Sequence, residues 1–384
     1  MARGTPIGWL HQPGFEPDTE NLVKGCTHRS KGCFNCFAPW SVVRHQHLPG
    51  QDGLVTRDEQ GRLAWTGKVI TLPEKLPALV RAKKPRMIFV TVLGDLFDVQ
   101  VDDDFLVQLW KTMRDSPQHI YVILTKLAKR MHDKVTKMVA LFGVLPNVWI
   151  GVSCENQEQA NIRIPWLMRA PIAIRVASCE PLIAPVDLTR IPAGSDQQPD
   201  MVWDVLNKRY GVPGRWQAPM KHGLDWVIVG GESAARDRAR AMHPQWARDL
   251  VAQVAAADVA LFFKQWGSWR PAPWVVRVCD PKEGWKGTDD ELAAAKAEAE
   301  KIGATHSLPV WADRYDMLPT DAGHKPWSLD RWPLPADSPH APMRWHSTKG
   351  GDDVIDGRTW HQWPVFGGGI VDTSEVIEEE VDHV

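Results

Sequence analysis

Short apolar runs that do not alternate with polar residues constrain this chain more than any other feature. They fall at residues 87–93, 120–124, 148–152, 173–177, 226–229 and 261–263 and are rich in Val and Ile. A strand with one wet face alternates apolar and polar positions. An unbroken run instead suits a strand covered on both faces, as a parallel sheet requires. Amphipathic stretches at 104–114, 126–140, 157–168 and 244–257 supply the crossover helices. The repeated β/α order predicts an α/β fold, as a barrel or an open sheet. With 384 residues and 43% hydrophobic content the chain can bury a core of that size.

Nearly every run stops in polar or glycine residues: Gly94-Asp95, Thr125-Lys126, Ser153 with Glu155-Asn156, Ser178 with Glu180, Gly230-Gly231-Glu232-Ser233, and Lys264-Gln265. In β/α folds the carboxyl ends of the strands form one rim, where sites are built. Polar loops and helix caps account for any single ending; the whole succession is expected to form one polar mouth. Lys126, Glu180, Glu232, Lys264 and Gln265 are the groups left to meet a substrate, the alternative for each being a structural ion pair at the rim. Cys154 and Cys179, beside strand ends, read as small buried hydrophobes, and with Cys279 they lack ligand-like spacing.

Cys26, Cys33 and Cys36 are crowded into GCTHRSKGCFNCFAPW, ahead of the first apolar run. Thiolates this close in sequence can converge on one metal centre, and Gly25 and Gly32 let the loop curl around it. Two centres fit three thiolates: zinc, with His28, His45 or His47 as fourth ligand, or an iron-sulfur cluster with one iron left open.

The layout resembles the radical S-adenosylmethionine superfamily, in which a three-cysteine loop follows the first strand of a partial β/α barrel. Most members have three residues between the first two cysteines; here six separate them. The resemblance implies a [4Fe-4S] cluster on Cys26, Cys33 and Cys36 whose open iron chelates S-adenosyl-L-methionine. Reductive cleavage by an external electron donor then yields a 5'-deoxyadenosyl radical. It also implies cofactor contacts. Gly94 and Asp95 would receive the methionyl amino group, Ser153, Glu155 and Asn156 the ribose or carboxylate, and Gly230 and Gly231 would lie beside adenine.

A closer resemblance covers most of the chain. GDLFD at 94–98, ILTK at 123–126, PNVWIGVSCEN at 146–156, SCEPL at 178–182, WVIVGGES at 226–233, FFKQWG at 262–267 and DGRTWHQWP at 356–364 are similar to blocks of a radical-SAM-like phage and prophage family. Some of its members are associated with thymidine hypermodification, which protects viral DNA from host restriction. The implied activity is an isomerase that turns a glycine-bearing thymidine from an N-linked into a C-linked form. In that role Lys126, Glu180, Glu232 and Lys264 would act on the substrate, DNA carrying modified thymidine. The rivals are a radical DNA-repair lyase similar to spore photoproduct lyase, and a zinc-stabilised nucleic-acid-binding protein without catalysis.

The formal net charge is -2, from 45 Lys and Arg against 47 Asp and Glu, so nucleic-acid binding must rest on local patches. Basic stretches at 81–86, 126–137 and 236–240, with Trp40 or Trp266 to stack an extruded base, are the candidates; a solvated helix face is the alternative for each. No apolar run approaches the roughly 20 residues of a membrane helix, and residues 1–9 lack a signal-like stretch. The expected location is therefore the cytoplasm, that of the host if the chain is phage-encoded. The expected division is a partial barrel of radical SAM type over 1–270, an appended irregular Trp- and Pro-rich subdomain over 271–371 with a helix at 289–302, and an acidic tail over 372–384.

Overall fold

Seven strands pair in parallel in the order of the sequence: β1 (Glu16–Thr19), β2 (Arg86–Phe89), β3 (Ile120–Thr125), β4 (Val148–Ser153), β5 (Ile174–Cys179), β6 (Trp226–Gly230) and β7 (Ala260–Gln265). This computed structural model describes residues 4–48, 50–59, 61–193, 200–234 and 238–271, with shorter pieces at 315–317, 342–345, 354–355, 358–364 and 370–374. The sheet curls into a half-barrel, because sequential parallel pairing with helices on one side adds twist in one sense. Helices α1 (Ala38–Arg44) and α2 (Leu76–Arg81) lie in the long β1–β2 crossover. The later crossovers carry α3 (Asp103–Arg114), α4 (Ala128–Phe142), α5 (Gln157–Arg169) and α6 (Pro244–Ala256), matching the predicted amphipathic stretches. The β5–β6 crossover adds a four-stranded antiparallel sheet spanning residues 191–219.

Period-two alternation sorts the strand residues into two layers. Ile88, Ile123, Ile150, Val152, Ala177, Val227, Val229 and Phe263 pack outward in the core shared with α3 to α6. Met87, Val122, Trp149, Val176, Trp226, Ile228 and Phe262 form the other cluster with Trp9, filling the inside at the amino ends. Trp9 and Trp149 each meet Trp226 edge-on, with centroids 5.9 and 5.8 Å apart. Large rings that each bury roughly 150–250 Å² make this floor dry.

Two parts of the sheet differ from the sequence reading. β1 is Glu-Pro-Asp-Thr and contains no apolar residue but proline; it is an edge strand, held through Arg86–Asp18 and Lys84–Glu16 ion pairs at 3.2 and 3.1 Å. At the opposite edge, residues 360–364 return from the stretch given to the appended subdomain. Phe263 N donates to Trp360 O at 2.8 Å, Trp226 Nε1 to Gln362 O at 2.8 Å and Trp363 Nε1 to Trp9 O at 2.8 Å. This segment covers β7, whose unpaired backbone would otherwise face water. The predicted helix at 289–302 and most of the acidic tail lie outside the described residues. Among the described residues no helix is long and apolar enough to cross a membrane.

The start of the half-barrel holds a fully buried imidazole. His119 Nδ1 accepts from Arg86 N at 3.2 Å, and its Nε2 lies 3.1 Å from Leu79 O. Burial first, and the nearby Arg86 charge among other groups, lower its pKa. An unfolded chain therefore takes up this proton before the folded one does. Stability is expected to be full above the unfolded value near 6.5 and to fall as pH drops below it, by at most about 1.4 kcal/mol per pH unit. Urea titrations between pH 7 and 5 check this: His119→Gln should flatten that part of the curve, and an unchanged slope would refute the assignment.

Candidate functional site

The inner face that begins at the tryptophan floor ends in polar groups at the carboxyl ends of the strands. Continuing each alternation places Lys126, Ser153, Ser178, Glu180, Gly230 and Lys264 around one mouth. Lys126 Nζ donates to Ser153 Oγ at 3.2 Å. Lys264 Nζ pairs with Glu180 Oε1 at 2.9 Å, and Ser178 Oγ donates to Glu180 Oε2 at 3.4 Å. Gly230 leaves Glu180 its place, since a Cβ there would lie 3.0 Å from Oε1. The mouth thus presents two ammonium groups and one carboxylate.

The cysteine loop is fastened across the same rim. Gly25 N donates to Leu93 O at 2.9 Å and Gly25 bridges to Gly94; a Cβ on Gly94 would lie 2.9 Å from both the Val23 and Gly25 carbonyl oxygens. Gly25 itself has φ +91° and no room, its Cβ position being 2.0 Å from Lys68 O. Arg29 pairs with Asp98 at 3.1 Å. Ser30 Oγ donates to Glu155 Oε1, whose other oxygen takes Arg163 Nη1 at 2.7 Å. Asn35 Nδ2 donates to Glu232 Oε2 at 2.8 Å and to Arg238 O at 2.6 Å. Arg240 grips Glu232 through its backbone N at 2.9 Å and Nε at 3.0 Å, and its Nη1 reaches Lys31 O at 3.0 Å.

Several residues expected to meet cofactor or substrate therefore hold structure. Glu155 and Glu232 anchor the loop from the ends of β4 and β6. Asn156 caps α5, accepting from Gln159 N at 2.9 Å. Asp95 accepts from Thr125 Oγ1 at 2.7 and 2.8 Å, from Lys126 N at 3.0 Å and from Phe97 N at 3.0 Å, tying β2 to β3. Gly231 admits no side chain, its Cβ position being 1.8 Å from Trp266 O. Ser30, Asn35 and Arg163, three of the partners in these anchors, were not singled out from the sequence, and Arg240, expected in a basic stretch, pairs with Glu232 instead. The position of Asn35 between Cys33 and Cys36 was the available hint.

Burial pushes the Cys26 thiol up to about 12, aided by the Asp95 carboxylate and by Cys33 and Cys36. Burial also raises Cys36, with Lys126 opposing. The three thiols are thus within electrostatic reach of one another in a partly buried loop. Burial alone would raise Glu155 too, but Arg163, Ser30 and Lys126 outweigh it and hold the carboxyl below its usual range. Among the described residues no three His, Cys, Asp or Glu side chains are placed to grip a single metal ion. Three partly buried cysteine thiols are the donor set that an iron-sulfur cluster would take.

The remaining expectations sort by burial. Cys154 and Cys179 are fully buried in the helix-facing core, the structural reading. Trp266 is 4% exposed and packs on Phe263, which removes it as a stacking platform, whereas Trp40 is 48% exposed beneath Arg238. The basic stretches are largely paired: Lys134 and Lys137 with Asp103, Lys129 with Asp133, Lys84 with Glu16.

No curated protein and no solved structure matches this chain. A family model matches residues 5–364, a span that takes in the half-barrel, the cysteine loop and the returning segment that covers β7. The chain belongs to that family, described as Protein of unknown function (DUF5131).

Proposed function

We propose that the chain is a radical S-adenosylmethionine enzyme that acts on a modified nucleobase in phage DNA, isomerising a glycine-bearing thymidine from the N-linked to the C-linked form. The observation that carries this reading is the three-cysteine loop fastened over the carboxyl ends of a curled parallel sheet, facing a charged mouth above a dry floor. Cys26, Cys33 and Cys36 would hold the cluster. Together with S-adenosyl-L-methionine and one electron from an external donor, it supplies a carbon radical able to remove hydrogen beside an amino group.

The chain's own residues bind, orient and exclude water. Asp95 fixes the β3 end so that Lys126 projects into the mouth beside Ser153. Lys126 and Lys264 suit carboxylate or phosphate groups, and Glu180 suits the substrate's ammonium group. Glu155 and Glu232 act as positioning residues, because they hold the loop. The tryptophan floor closes the amino end, keeping water from a reactive substrate.

Anaerobic reconstitution tests the reading. Iron and sulfide are counted per chain, dithionite and S-adenosyl-L-methionine are added, and 5'-deoxyadenosine is measured by mass spectrometry. Wild type is expected to form it and a chain with Cys26, Cys33 and Cys36 all replaced by Ala to form none. Reconstituted protein that retains only zinc and forms none would overturn the proposal. Products from DNA carrying modified thymidine then separate isomerase from repair lyase.

A further inference from the structure

At the opposite end of the half-barrel from the cysteine loop lies an open groove of about 470 Å³, within the roughly 300–1,000 Å³ of ligand-binding clefts. It forms where α5 ends, beside the antiparallel sheet of the β5–β6 crossover. Trp203 and Tyr210 are direct cross-strand partners there, so their rings stand on one face and both line the groove. Arg169, the last residue of α5, lies over Trp203 with its guanidinium carbon 5.0 Å from the ring centroid. Lys221 and His222 also line the groove.

The charge here differs from that at Lys84, Lys129, Lys134 and Lys137, where each cation has an acidic partner. No acidic side chain is among the described lining residues of the groove. Around His222 stand Arg175, Lys221 and Lys208, and partial burial together with these cations lowers its pKa; Asp225 sits against Arg175 and Lys208, which leaves Lys221 and Arg169 as the cations of the groove. Flat rings beside the cations of Arg169 and Lys221 match a base next to a phosphate: stacking tolerates any base, and the cations track the backbone. The groove is open rather than enclosed, which suits a chain passing through more than a single captured nucleotide.

We propose that this groove is a binding site for single-stranded nucleic acid, with bases against Trp203 and Tyr210 and phosphates on Arg169 and Lys221, beside the neutral ring of His222. It stands apart from the mouth and needs no cluster, so it holds whether or not the radical reading does.

Fluorescence anisotropy with a labelled oligothymidylate, at several salt concentrations, tests it. Wild type should bind with a marked salt dependence. The exposed pair Lys221→Glu with His222→Glu should weaken binding at least about tenfold and flatten the salt slope, with thermal unfolding unchanged. The chain lacking Cys26, Cys33 and Cys36 should bind as wild type does. Failure of wild type to bind, or binding by the double variant equal to wild type, overturns the site. Displacement by micromolar thymidine monophosphate would also overturn it, making the occupant a free nucleotide. A loss confined to the cysteine variant would move strand binding to the mouth and refute the groove.

Discussion

Glu155→Ala is expected to cost the fold about 3–5 kcal/mol, the usual penalty for removing one partner of a buried ion pair. Arg163 and Glu155 are 3% and 0% exposed, so the guanidinium left behind has no water to replace its carboxylate. It would keep one hydrogen bond, to Ser153 O at 2.8 Å, which does not neutralise its charge. The cysteine loop loses an anchor in the same step, because Ser30 donates to the other carboxylate oxygen. A second variant separates these effects. Replacing Glu155 by Leu and Arg163 by Met together removes both charges, and stability should return to within about 1–2 kcal/mol of wild type. The anchor at Ser30 is still absent, so iron bound per chain should stay low. Urea unfolding and iron counts read the two outcomes. A Glu155→Ala chain as stable as wild type would refute the buried-pair account, and a double variant that retains full iron would refute the anchoring role.

The sheet and the mouth were legible in the sequence to different depths, for one physical reason. Strands buried on both faces announce themselves as apolar runs, and from β2 to β7 each observed strand overlaps a predicted run. β1 had no such signal, because an edge strand can be built from Glu16, Pro17, Asp18 and Thr19. Residues 360–364 were equally silent, since their place is set by pairing with a strand distant in sequence. The period-two rule also places Lys126, Ser153, Glu180 and Lys264 on one rim. What sequence could not supply was each group's partner. Ser30 meets Glu155 across 125 positions, and Asn35 meets Glu232 across 197. A carboxylate at a strand end looks the same whether it awaits a ligand or ties down a loop. Asn156 was nearer to hand: its spacing to Gln159 is that of a local cap.

The adjacent glycines of the VGGES block are expected to respond oppositely to a single methyl group, and the contrast divides fold from function. At Gly231 a Cβ would sit 1.8 Å from Trp266 O and 2.4 Å from its carbonyl carbon. Those atoms are backbone, locked by the Gly231 N to Gln265 O hydrogen bond at 2.8 Å, so the ends of β6 and β7 must separate. Gly231→Ala should therefore destabilise by more than about 4 kcal/mol, in the tail where only severe clashes fall, and the chain should accumulate largely as insoluble protein. At Gly230 the new methyl group would lie 3.0 Å from Glu180 Oε1, the mobile end of a side chain facing the mouth. Glu180 can rotate away from Lys264, so Gly230→Ala should shift stability by no more than about 1 kcal/mol. It should nonetheless fill space in the mouth and misplace the carboxylate, weakening S-adenosyl-L-methionine or substrate binding at least about tenfold. Thermal unfolding paired with calorimetric binding resolves the two. Equal stability of both variants would show that the close approach of β6 and β7 is not what requires glycine at 231. An undisturbed binding constant in Gly230→Ala would show that neither ligand uses that side of the mouth.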